Sequence, residues 1–370
     1  MKLRSEQFET ALARRMRSTL LAATAAATLA GCATPLVPYT ADTPPLVLMP
    51  ASLAGVSDQR GRFREVFCAV LEAGKGQLAD HRNCDDALTR VGAEPPGMGR
   101  PVDLGTPRRR LVAMIVPGIG WDCFAKWLDP GEVEAHLRKV GFEVAPVQVD
   151  SLSSSRNNAR QIRDAIMALP MEPDSARIVL IGYSKGAVDV LEAIVRYPEI
   201  RGRVAAVVST GGSIGGSPLA NDAEQGMANL LQYFPESTCT PGDGGGVESL
   251  RPGPRRAWLA ANPLPAGLRY YSVVTYPQPE RISSVLMPSY RRLAQIDGRN
   301  DSQMVFYDQV IPGSQLLAYA NADHWALAVP IARTHATIGS LFVTQNAYPR
   351  EALAEAVMRY VEEDLSSSAR

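Results

Sequence analysis

Ala176-Arg177-Ile178-Val179-Leu180-Ile181-Gly182-Tyr183-Ser184-Lys185-Gly186-Ala187-Val188-Asp189-Val190-Leu191-Glu192-Ala193-Ile194-Val195 is the stretch that decides the fold. Its first six residues are an apolar, β-branched run that reads as a buried strand. From Ala187 the pattern is helical, with no breaker before Pro198. Between them stands Gly182-Tyr183-Ser184-Lys185-Gly186, of the form Gly-x-Ser-x-Gly. A sharp strand-to-helix turn forces unusual backbone angles on its serine. The flanking positions must be small for strand and helix to approach, hence the glycines. Such a turn presents a serine hydroxyl as a nucleophile.

The alternation continues on both sides. Leu111–Val116 is expected as a strand, 131–140 as a helix, Phe142–Val147 as a strand and Ser155–Leu169 as a helix. Strands at Val204–Val208, Tyr270–Val274 and Gln315–Tyr319 follow. Strands joined by single helices imply an α/β architecture with a mostly parallel sheet covered on both faces. Between about 211 and 267 the pattern dissolves into Gly, Pro and Ser over a length too great for a plain connection. It is expected to be a lid or cap insertion.

The chain has 370 residues, is 46% hydrophobic and 21% charged, and carries no formal net charge, which argues against a nucleic-acid partner. Arg14, Arg15 and Arg17 precede the short apolar stretch Leu20–Ala30, which describes a secretory signal, with Met16 the better start. The stretch ends in Leu29-Ala30-Gly31-Cys32, which resembles a bacterial lipobox. That resemblance implies cleavage before Cys32, a diacylglycerol on its sulfur, and, with Ala33 rather than aspartate next, a place at the outer membrane facing the periplasm or the surface. Loss of 1–31 removes five basic and two acidic residues, leaving a mature net charge of −3. The expected organisation is a signal over 1–31, a Pro-rich tether over 32–57 and a small helical preface over 58–100. An α/β domain over 101–370 completes it. In an oxidising compartment Cys68 and Cys84 are expected to close a local disulfide. Cys123 and Cys239 are left as a second pair or as buried thiols.

A serine hydroxyl needs a base within hydrogen-bond reach and an acid to orient that base. On a sheet with this elbow the order is Ser, then Asp or Glu, then His. Of four histidines, His81 and His136 precede Ser184. His324 stands just after a strand and is the expected base; His335 lies in a later helical segment. Asp301, Asp308 and Glu280 remain as acids. From Leu111 to Pro330 the chain resembles the α/β-hydrolase superfamily, and within it bacterial lipases and esterases. In these a Tyr-Tyr-Ser strand, an Asn-Asp-Gly segment and a histidine follow in order, as Tyr270-Tyr271-Ser272, Asn300-Asp301 and His324 do here. Gly216-Ser217-Pro218-Leu219-Ala220 matches their Gly-Ser-Pro-x-Ala. The resemblance assigns Asp301 as the acid. Ser302 stands where those lipases have glycine, which keeps Asp308 as the alternative.

The oxyanion needs backbone donors. One is expected from Lys185. The second is expected from Ile119 or Gly120 in Pro117-Gly118-Ile119-Gly120-Trp121, where the family usually has His-Gly. Trp121, Trp127 and Trp325 flank these loops and read either as an acyl pocket or as core. The resemblance implies an esterase or lipase acting on ester or lipid-like substrates without a cofactor or metal. A thioesterase, amidase or peptidase would share the site, and a non-enzymatic binding lipoprotein the fold.

Overall fold

A computed structural model describes residues 55–124, 131–170, 177–222 and 240–367. The expected signal, most of the tether, Cys32, Trp127 and Cys239 lie outside the described residues. Seven strands form one sheet: β1 Ser57–Asp58, β2 Leu111–Val116, β3 Glu143–Val144, β4 Arg177–Tyr183, β5 Val204–Thr210, β6 Arg269–Thr275 and β7 Gln315–Ala320. Their spatial order is β1-β7-β6-β5-β4-β2-β3, and every pairing is parallel. β4 lies between β2 and β5, with Met114 opposite Leu180 and Leu180 opposite Val207.

Alternation along each strand builds two cores. Leu111, Ala113, Val179, Ile181, Val208 and Val273 face one layer. That layer comprises α1 (Arg60–Ala73), α2 (Cys84–Ala87), α3 (Gly131–Lys139) and the C-terminal helix Arg350–Ser367. Val112, Met114, Ile178, Leu180 and Val207 face the other, formed by α4 (Ser155–Ala168) and α5 (Lys185–Arg196). β-Branched and aliphatic side chains on both faces explain why β4 reads as a continuous apolar run.

The helical preface before residue 100 is built into the sheet and its core. Ser57 and Asp58 pair with Gln315 and Leu316, so the sheet begins there and not at Leu111. Phe63, Phe67, Val70 and Leu71 of α1 lie in the same core as Tyr271, Leu317 and Val361. Arg62 binds Glu363 across a pair of hydrogen bonds of 3.0 and 2.7 Å. Burying the apolar face of α1 here removes far more surface from water than a free two-helix unit could. Cys68 and Cys84 are joined in a disulfide, with Cα atoms 5.2 Å apart. The expected strand 142–147 shortens to two residues at the sheet edge, because Pro146 has no N–H to give the ladder.

The insertion between β5 and β6 has two described limbs. Gly211–Asp222 carries a 3-10 turn at Pro218–Asn221. The limb from Thr240 carries α6 (Pro252–Ala261), whose Trp258 and Leu259 pack on the second core. Among the described residues no helix is long and apolar enough to cross a membrane.

Candidate active site

Ser184 joins β4 to α5 at φ 53° and ψ −123°, in the region that side chains other than glycine avoid. Holding it there costs about 1–3 kcal/mol, offset by the surrounding packing. A β-carbon at Gly182 would stand 2.3 Å from Ala187 Cα, and one at Gly186 would stand 2.2 Å from the Val116 carbonyl oxygen. Only glycine fits either place, so the pentapeptide's spacing has a direct steric cause. The Ser184 amide donates to the Thr210 carbonyl at 3.3 Å, and its carbonyl accepts the Ser213 amide at 3.0 Å.

His324 follows β7 in the turn Asn321–Ala326. Its Nε2 lies 2.9 Å from Ser184 Oγ and its Nδ1 2.8 Å from Asp301 Oδ2. The His324 amide also donates to the Asp301 carbonyl at 3.0 Å, tying the two loops together. The phenol of Tyr183 donates to the His324 carbonyl at 2.7 Å, and the two rings stack with centroids 5.1 Å apart. Burial first, and the nearby Asp301 charge second, hold that phenol well above its ordinary pKa, so it stays a donor.

Asp301 is fully buried. Its Oδ1 accepts the amides of Gln303 at 2.9 Å and Met304 at 2.7 Å. Its Oδ2 accepts the Thr275 hydroxyl and Gln309 Nε2 at 3.2 Å besides the imidazole. Five donors compensate the loss of water around a buried carboxylate. Ser302 is at φ 80°, which explains why the resembling lipases use glycine at this point. Asp308 is set elsewhere: its carboxylate faces Gly215 and accepts Arg256 Nη2 at 3.3 Å. Burial raises its pKa. Glu280 is exposed in a 3-10 turn. Asp323 accepts the amides of Ser283 and Ala326 rather than the imidazole. His136 binds Glu355 at 2.6 Å on the opposite layer.

The loop after β2 comes against the nucleophile, since a β-carbon on Gly118 would lie 2.9 Å from Ser184 Cβ. Lys185 opens α5, where the first amides of a helix have no intrahelical partner. Among the described residues neither its amide nor that of Ile119 donates to a protein acceptor. The Lys185 side chain turns away into the core, 1% exposed, with Nζ 2.8 Å from both Asp189 oxygens. Trp121 meets Tyr183 edge-on at 6.5 Å and lines a cavity of about 730 Å³ with Ile115, Tyr183 and Leu327. Trp325 packs instead with Ile282, Leu286 and Tyr290, so these two tryptophans do not share one pocket. Among the described residues no group of three His, Cys, Asp or Glu side chains could hold a metal ion.

The fold is shared with a known structure. The chain is similar to the metagenomic carboxyl esterase MGS0156 over 88% of its length and 97% of that chain, with 39% identity and a TM-score of 0.80. The chain belongs to the carboxyl esterases of the α/β-hydrolase fold. The esterase also shares its fold with Staphylococcus hyicus lipase, at 11% identity, 72% and 98% coverage and a TM-score of 0.51. No protein-family model matches the esterase. No functionally curated protein matches it either. Membership makes the chain an enzyme, a hydrolase of ester bonds.

Thr275, Gln309 and Tyr183 had no sequence signal for a role at the site. Thr275 is the last residue of β6, and only the parallel sheet brings strand ends that are remote in sequence to one edge.

Proposed function

We propose that the esterase cleaves carboxylic esters through an acyl-enzyme on Ser184. His324 takes the hydroxyl proton as Oγ attacks the carbonyl and returns it to the leaving alcohol. Asp301 holds the imidazole in the tautomer that leaves Nε2 free to accept. The amides of Lys185 and Ile119, or Gly120, receive the oxyanion. Water then resolves the acyl-enzyme through the same base.

The observation that carries this reading is the unbroken chain Ser184 Oγ, His324, Asp301 at 2.9 and 2.8 Å, mounted on a serine at positive φ. The test is Ser184→Ala. Hydrolysis of short p-nitrophenyl esters should fall by at least about a thousandfold with thermal unfolding nearly unchanged, because the residual rate of a triad lacking its nucleophile is small. Activity within tenfold of the parent would sink the assignment.

The substrate class that fits is an ester of a lipid-like or envelope-derived molecule, with the insertion at about 211–267 as its lid. The resemblance of Leu29–Cys32 to a lipobox supports a diacylglycerol on Cys32 and an outer-membrane place. Cys32→Ser should abolish acyl labelling and shift the protein out of the membrane fraction; unchanged labelling and partition would refute the anchor.

A further inference from the structure

The loop Gly118–Cys123 touches the nucleophile at one end and is clamped at the other. Ile119 packs its side chain among Val188 of α5 and Ala220, Val247 and Leu250 of the two insertion limbs. A β-carbon on Gly246 would stand 2.6 Å from the Leu152 carbonyl oxygen and 3.3 Å from Ile119 Cδ1, so the downstream limb lies backbone-close to both. At the other end Asp122 is half-buried. Its carboxylate accepts the Ser151 hydroxyl and the amide of Thr240, while the Cys123 amide closes the turn on the Gly120 carbonyl at 3.1 Å. Ser151 lies in the loop leading into α4, and Thr240 begins the downstream limb.

Those two segments are also fastened to each other. The Gly246 amide donates to the Leu152 carbonyl at 2.9 Å. Asp243 accepts the Ser154 amide at 2.6 Å, and the Ser155 amide donates to Ser249 Oγ at 2.9 Å. Asp122, next to the disulfide-bonded Cys123, is where the loop beside the nucleophile meets that fastened pair by hydrogen bonds. The need for such a clamp is physical. Gly118 and Gly120 give the loop backbone freedom, with Gly120 at φ 75°. An oxyanion donor accelerates the reaction only if it is held in place before charge develops.

We propose that Asp122 is a positioning residue for ester hydrolysis: by gathering Ser151 and Thr240 it fixes the loop that presents the Ile119 amide to the oxyanion. This rests on the reading of Ser184 as nucleophile and takes Ile119, of the two candidate amides, as the donor. Aspartate suits the place because a carboxylate is acceptor-only, whereas asparagine would turn an NH₂ toward one of the two donors.

The experiment compares the full chain with Asp122→Ala, Asp122→Asn and Ser151→Ala. It measures kcat and KM on a p-nitrophenyl ester, thermal unfolding, and the fraction of serine titrated by a fluorophosphonate run to completion. A misplaced oxyanion donor should cost Asp122→Ala about 30-fold or more in kcat, with KM within about threefold. Asp122→Asn should fall between it and the parent. Ser151→Ala should lose about three- to tenfold, one of the two donors being gone. The titratable fraction and unfolding temperature should stay near those of the parent. The proposal is overturned if kcat of Asp122→Ala stays within threefold, or if its loss merely follows the loss of titratable enzyme. Should Asp122→Ala fail to fold, an unchanged kcat in Ser151→Ala overturns it alone. A parent protein that neither turns over nor titrates would overturn the Ser184 reading itself.

Discussion

Thr275 donates its hydroxyl to Asp301 Oδ2, the same oxygen that accepts His324 Nδ1. Gln309 reaches that oxygen at 3.2 Å while its own Oε1 accepts the Thr275 amide at 2.7 Å. The orienting acid is thus itself oriented, from the end of β6. Thr275→Val keeps the shape and removes the donor. It should lower kcat/KM about ten- to a hundredfold, the scale of one hydrogen bond to a charged group. Steady-state kinetics check it, with unfolding temperature as control.

Exchange of the two candidate acids should give opposite results. Asp301→Asn should cost at least about a hundredfold in kcat, because the imidazole loses its charge and its tautomer. Asp308→Asn should leave kcat within about threefold, since its carboxylate binds Arg256 and not His324. Asp308 also carries a stability signature. Burial raises its folded pKa above 3.8, so the native state binds the proton more tightly and this group's contribution falls as pH rises through that window. At pH 7 the Asn variant should unfold at the same temperature as the parent or higher. Below about pH 3, well under the unfolded pKa, the side chain is protonated in both states and the difference should vanish. Unfolding curves across pH test the sign.

Ser302 sits at φ 80° with its hydroxyl buried and lacking a partner among the described residues. Ser302→Gly relieves both penalties and should stabilise the fold by about 1 kcal/mol, net of a small lost contact. Chemical denaturation reads this directly, and turnover should be retained.

The elbow and strands β2, β4, β5, β6 and β7 were legible because each is a run of apolar residues buried on both faces, bounded by breakers. Ser57–Asp58 was not: a two-residue polar strand has no periodicity, and its pairing with β7 depends on a contact more than 250 residues away in sequence. The place of α1 in the main core was hidden for a related reason. Its apolar face announces burial but not the partner, which is the C-terminal helix. At the site, residue order and resemblance led to Ser184, Asp301 and His324. The geometry adds what order cannot carry: Thr275 and Gln309 behind the acid, Tyr183 beneath the base and Asp122 behind the loop.

The disulfide between Cys68 and Cys84, 16 residues apart, fastens the middle of α1 to the start of α2. The Cys68→Ser/Cys84→Ser double variant should lose about 3 kcal/mol of stability in the loop-closure view. Ester hydrolysis at 25 °C should persist, because the bridge touches none of the residues around Ser184.

The most direct measurement is covalent labelling of the full chain with a fluorophosphonate, followed by peptide mass spectrometry. One phosphonyl group should add per chain, on the peptide that contains Ser184, and labelling should be lost in both Ser184→Ala and His324→Ala. A folded protein that hydrolyses esters but carries the label on another residue, or carries none, would contradict the assignment of Ser184 as the nucleophile.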